Sequence, residues 1–185
     1  MKDNFFEPST LLAQLLNIID SSNASIDVCV YRIEKGAILN KIIQKSKEGV
    51  IVRIITDYSF KPFYIYQNIE NINVYLYNSK NNILHKKYII IDGVNVVLTS
   101  SNFTCLEKKY LSNSAISSKD KIIVNDVKLD FNSLLSKSNQ INFPIEYQLR
   151  RRGHQYLSVA SVFIKKYYSE IVFTSILLLI GFVLV

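Results

Sequence analysis

Histidine and cysteine are scarce in this 185-residue chain. It has two of each: His85, His154, Cys29 and Cys105. There is no Cys-x-x-Cys pair and no Cys/His cluster, which argues against a structural zinc site. Two cysteines make no disulfide framework, so a reducing compartment fits better. Cys29 lies inside an apolar run and is expected to be a small core residue. The start, MKDNFFEPSTLLAQLL, carries acidic residues early and no small-residue cleavage site, so it does not read as a signal peptide. No internal repeat or long low-complexity tract is visible. What the chain does have is 49% apolar and 20% charged residues, which is not a disordered composition. The abundance of Asn, Ile, Lys and Tyr is read as compositional drift without chemistry. The formal net charge is +7. That favours polyanions, meaning nucleic acid or anionic lipid headgroups, with plain solubility as the alternative.

The last fifteen residues, IVFTSILLLIGFVLV, carry no charge. As a helix they would span roughly 22 Å, and extension back to Tyr167 gives roughly 28 Å, close to a bilayer core. Tyr167 and Tyr168 suit the interface. Lys165 and Lys166 flank it, with Arg150, Arg151 and Arg152 upstream, which puts residues 1–166 on the cytosolic side. The reading is a C-terminal transmembrane helix serving as a tail anchor; the alternative is a buried C-terminal helix or strand. Mitochondrial outer membrane is favoured, with the endoplasmic reticulum close behind.

Along the chain, Ser9 or Thr10 is placed to cap a helix with Leu11, Leu12, Leu15, Leu16 and Ile19 at helical spacing. IDVCVY (26–31) reads as a strand. Residues 36–48 read as an amphipathic helix stopped by Gly49. VIVRIIT (50–56) is so uniformly apolar that it suggests a parallel strand buried on both faces. A short helix is expected from Pro62 to Asn71, then a strand, INVYLY (72–77). YIIID (88–92) and VNVVLT (94–99) flank Asp92-Gly93, a tight-turn signal. A short helix is expected over 105–112 and a strand over 114–118. From Asp120 to Leu135, Ile123, Val127, Phe131 and Leu135 recur every four residues and favour a helix, with a hairpin around Asn125-Asp126 as competitor. The element order predicts α/β with a mixed β-sheet flanked by helices, its first units parallel through right-handed crossovers. The expected domains are 1–136 catalytic, 137–166 a basic connector and 167–185 the anchor.

One constellation carries chemistry. His85 and Lys87 point the same way on an extended segment. The turn at Asp92-Gly93 returns the chain so that Ser100 and Asn102 come beside them. An imidazole, an ammonium, a hydroxyl and an amide suit a phosphodiester: imidazole attacks phosphorus and the others hold the non-bridging oxygens. H-x-K-x4-D followed by a strand and S-x-N resembles the HKD motif of the phospholipase D superfamily. The chain is similar to its single-motif members, the small bacterial endonucleases and the mitochondrial phospholipase D/Zucchini group. The resemblance covers roughly residues 10–136, with IDVCVY and VIVRIITD also in the expected places. It implies that His85 forms a phosphohistidine and that Lys87 clamps phosphate. Asp92 completes the motif, supporting its structure more than touching substrate. Ser100 and Asn102 match the phosphate-contacting pair, and neither cofactor nor metal is implied.

The family's reaction needs a second histidine as general acid. His154, in RRRGHQ, lacks the motif and reads as a surface residue. A twofold homodimer sharing His85 from each chain is therefore expected. Three departures stand out. Thr99 replaces the family's glycine before the motif serine. Asn113 or Ser114 stands where the family has a carboxylate that orients the histidine, and Glu107 is the nearest upstream acid. The mitochondrial group is anchored at its N-terminus, and some members carry a zinc-binding insertion that this chain lacks. The 150–152 arginines suit anionic headgroups or RNA, or simply flank the anchor. Phe60, Phe63, Tyr64 and Tyr66 are by default core residues, with base stacking or lipid contact as the other possibility. The sequence thus predicts a membrane-anchored, metal-independent phosphodiesterase. An endonuclease on single-stranded RNA or DNA comes first. A phospholipase on an anionic lipid such as cardiolipin is the second reading, and a degenerate non-catalytic membrane scaffold the third.

Overall fold

The computed structural model describes residues 3–59, 69–78, 82–104 and 113–141. Strand β1 (Asn4–Phe6) is followed by α1 (Leu11–Asp20), β2 (Ser25–Val30), α2 (Ala37–Lys47), β3 (Ile51–Asp57) and β4 (Ile72–Tyr77). The hairpin β5 (Lys87–Ile91) and β6 (Asn95–Thr99) comes next, then β7 (Ala115–Ser118), α3 (Lys121–Ser136) and β8 (Ser138–Gln140). All eight strands form one sheet in the order β1-β7-β6-β5-β2-β3-β4-β8. β2, β3 and β4 are mutually parallel, and every other pairing is antiparallel. The mixed α/β sheet is the architecture expected.

The helices form because their apolar residues share a face. Leu11, Leu15 and Ile19 of α1 and Ile38, Leu39 and Ile42 of α2 are buried against one side of the sheet, with Val28, Val30, Val52 and Ile54 from β2 and β3. The other side carries Cys29, Ile55, Tyr88, Ile90 and Val96, covered by α3. β2 and most of β3 are buried on both faces, which explains their largely apolar sequences, interrupted side by side by Asp27 and Arg53. Gly49 follows α2 at φ +94, a left-handed stop.

Several expectations change in detail. The α3 seam is Val124, Phe131 and Leu134, with Ile123 only half-buried. A strict four-residue repeat drifts by about 40° per step around a helix, so it cannot stay on one face. Asp120 caps α3 by accepting from the Ile122 and Ile123 amides, and no hairpin forms at 125–126. Thr10 sits at the N-cap of α1 without a side-chain cap; its hydroxyl instead donates to the Glu7 carbonyl. Residues 138–140, read from sequence as connector, pair with β4 as β8, and β1 was not anticipated. Both strands are three residues long, too short for a periodic signal.

Among the described residues no helix is long and apolar enough to cross a membrane. The expected anchor at 167–185, most of the 137–166 connector and the 105–112 helix lie outside the described residues, as do most of the 62–71 helix, the aromatics from Phe60 to Tyr66, the 150–152 arginines and His154.

Candidate active site

β5 enters the sheet between β2 and β6. Its first residue, Lys87, pairs with Val30, the last residue of β2. The Tyr88–Leu98 pairing sets Lys87 level with Thr99, the last residue of β6. His85 therefore lies just beyond the carboxyl ends of β2 and β6, where open α/β sheets place their ligands. Its imidazole is exposed and stands 5.7 Å from the Tyr31 ring, centroid to centroid, tilted by 48°. Lys87 is buried, and its Nζ donates to the His85 carbonyl oxygen at 2.9 Å. The cation thus holds the histidine backbone from inside while the imidazole stays at the surface.

Ser100 follows β6 directly. Its Oγ donates to Asn113 Oδ1 at 2.9 Å and accepts from the Ser114 amide at 3.1 Å. Asn102 is half-buried, and its backbone carbonyl accepts from Ser101 Oγ at 2.8 Å. Phe103 then exchanges backbone hydrogen bonds with the loop after β2, donating to the Arg32 carbonyl at 3.0 Å and accepting from Glu34 at 2.8 Å. Ser100 and Asn102 are confined to the short span between β6 and this stitch. The same stitch brings Tyr31, Arg32 and Lys35 to the rim.

The structure does not bring Asp92 to this end. It lies at the far end of β5, roughly 20 Å of strand from His85. Asp92 and Gly93 have φ of +52 and +66, the two left-handed residues of a type I′ turn. The Asp92 carboxylate accepts from the backbone amides of Asn23 (3.0 Å), Ala24 (2.8 Å) and Ser25 (2.9 Å). Partial burial pushes its pKa up, but these three donors, helped by Lys45, hold it below the usual carboxylate range. Asp92 staples the hairpin turn to the start of β2.

Two departures from the family pattern acquire a physical account. Thr99 lies in β6 without positive φ, so no glycine is required there. Its hydroxyl donates to the Ser114 carbonyl and accepts from the Ser101 amide, each at 3.0 Å, which braces the turn into the site. Of the two residues expected at the place of the carboxylate, Asn113 accepts from the Ser100 hydroxyl through its side chain and Ser114 donates to it through its amide. Glu107 and Cys105 lie outside the described residues. Sequence reading also passed over Tyr31 and Asp57. Both end the motifs IDVCVY and VIVRIITD, and their position at the carboxyl ends of parallel strands was the signal available.

The family described as the cardiolipin synthase, PLD-like domain matches residues 15–135. The chain belongs to this phospholipase D-like family of the phospholipase D superfamily. Its fold is similar to NucT from Helicobacter pylori, with a TM-score of 0.68 at 20% identity, covering 76% of this chain and 99% of that one. Nuc from Salmonella typhimurium, described as a phospholipase D family member, gives a TM-score of 0.69 at 22% identity over 77% and 99%. The phosphatidylserine synthase of Haemophilus influenzae gives 0.61 at 14% identity, over 87% of this chain and 46% of that one. No curated protein matches the sequence significantly.

Proposed function

We propose that the chain is a metal-independent endonuclease on single-stranded RNA or DNA that works through a phosphohistidine on His85, as a homodimer held at a membrane by residues 167–185. The observation that carries the reading is the exposed His85 imidazole at the open end of the β5–β6 hairpin, the end at which Ser100 leaves β6. A ring nitrogen of His85 attacks phosphorus and the bond to the leaving oxygen breaks. The His85 of a second copy gives that oxygen a proton, then takes one from the water that cleaves the phosphohistidine. Lys87, two residues beyond His85, stabilises the charge gathering on the non-bridging oxygens, with Ser100 and Asn102 donating to them. The rim supports a nucleic-acid strand as substrate. Tyr31 offers a ring for stacking and the exposed Lys35 offers positive charge for phosphates, while Arg32 and Lys86 are paired with Glu34 and Asp130.

A second reading has its own support. The matched family carries the name of a cardiolipin synthase, and a phosphatidylserine synthase shares the fold. With the uncharged C-terminal segment this favours an anionic phospholipid such as cardiolipin. On the same sequence grounds we place the anchor in the mitochondrial outer membrane or the endoplasmic reticulum, with the catalytic domain in the cytosol.

Full-length protein in detergent, incubated in EDTA with end-labelled single-stranded RNA and DNA and with cardiolipin vesicles, separates the readings. Cleavage of the oligonucleotides by the wild type, absent in His85→Asn, is expected. Release of lipid headgroup alone would move the assignment to a phospholipase. Binding without turnover would leave a scaffold.

A further inference from the structure

We infer that Asp57 is a positioning residue for His85, gripping the amide just before the histidine and so fixing where the imidazole stands. The inference rests on His85 being the reacting group. Asp57 ends β3 and is 6% exposed. Its two oxygens serve different partners. Oδ1 accepts from the Ser59 amide and hydroxyl, which closes a local turn. Oδ2 accepts from the Leu84 amide at 2.8 Å, across 27 residues of sequence. Closing the local turn requires only the first oxygen. The second reaches the segment that delivers His85.

That segment needs holding. Residues 82–86 are neither helix nor strand. The Leu84 side chain is buried in the cluster beneath α3, so Leu84 is fixed by side chain and amide together. On the other side, Lys87 is fixed by its pairing with Val30 and by its own Nζ on the His85 carbonyl. Only His85 and Lys86 lie between these anchors. Without the Oδ2 bond the Leu84 amide becomes a buried donor lacking its acceptor, and the segment shifts to satisfy it. A shift of about 1 Å in a reacting group costs on the order of 100-fold in rate.

Asp57→Asn keeps the shape but has one oxygen. Ser59 presents two donors and keeps it, so the new NH2 faces the Leu84 amide, donor against donor. Ser59→Ala removes the hydroxyl bond and leaves Oδ2 untouched. The full-length wild type and both variants are compared well below their melting transitions, on bis(p-nitrophenyl) phosphate and single-stranded DNA. In Asp57→Asn, kcat is expected to fall about 10- to 100-fold on both substrates with KM within about twofold, while Ser59→Ala keeps kcat within about twofold. Hydrogen exchange is the second readout. The Leu84 amide loses protection in Asp57→Asn and keeps it in Ser59→Ala. A folded Asp57→Asn with wild-type kcat, equal losses in both variants, or a loss confined to KM overturns the inference. A wild type inactive on every phosphodiester sinks the phosphodiesterase reading instead. The exchange result then still decides the grip: protection lost upholds it, protection unchanged removes it.

Discussion

Burial pushes the Cys29 thiol up to about 12, with the Tyr88 hydroxyl pulling the other way. A thiol so placed stays protonated and out of reach of reagents. In a Cys105→Ser background, Ellman's reagent is therefore expected to label Cys29 only as fast as the protein unfolds; rapid labelling of the folded protein would contradict the burial. The neighbouring Tyr88 is also held protonated, chiefly by burial, and its hydroxyl donates to Asp130 Oδ2 at 2.9 Å. Asp130 takes Lys86 on its other oxygen, which ties α3 to the residue beside His85. Asp27 and Arg53 meet lower on the same face. Two hydrogen bonds of 2.7 and 2.6 Å join them, and the guanidinium lies 5.1 Å over the Phe131 ring. Arg53→Met leaves the buried Asp27 carboxylate uncompensated. The expected loss is about 2 kcal/mol in urea denaturation, below the value for a fully enclosed pair because Arg53 is partly solvated. Adding Asp27→Asn should recover part of it. A single Arg53→Met variant as stable as the wild type would mean the pair contributes nothing.

The elements show what patterning can and cannot carry. β3 was legible because a strand buried on both faces is largely apolar, β2 and β4 because they are short runs rich in β-branched and aromatic residues, and the β5–β6 hairpin because Asp92-Gly93 supplies two left-handed residues. β1 and β8 were not legible. Strands of three residues hold too few side chains for alternation to register, and the neighbours β7 and β4 decide their pairing. Around the candidate site, the hairpin that puts His85 and Ser100 near its open end followed from the turn, whereas the burial of Lys87 on the His85 carbonyl did not follow from alternation. The Asp57–Leu84 bond was not legible, because a contact across 27 residues leaves no local trace. Asp92 provides the test at this scale. Its folded pKa is depressed, so its contribution to stability is present above the ordinary carboxylate pKa and is lost as pH falls through the folded value. Asp92→Asn tolerates the left-handed turn but cannot reproduce a charged acceptor for three amides. Its melting temperature should lie below the wild type's at pH 7, and the two should converge as pH drops from about 5 toward 2. A gap that stays constant with pH would show that the charge on Asp92 is irrelevant to the staple.

For the whole molecule the decisive fact is a shortage. Among the described residues His85 is the only histidine, yet cleavage by histidine attack needs a second group to protonate the leaving oxygen. The twofold dimer proposed above would supply it with the same residue and no further sequence. The two copies are then interdependent, because each productive site needs both imidazoles. Co-expression of wild type and His85→Asn in equal amounts, with different affinity tags, tests this without any structure of the dimer. If the site is shared, only dimers with two wild-type chains cleave, and random pairing leaves about a quarter of the activity of the same total amount of wild type. If each chain is complete, about half remains, in proportion to the wild-type chains. Purification through both tags isolates the mixed dimer, which should then be inactive. An active mixed dimer would place the general acid within a single chain and end the case for a shared site.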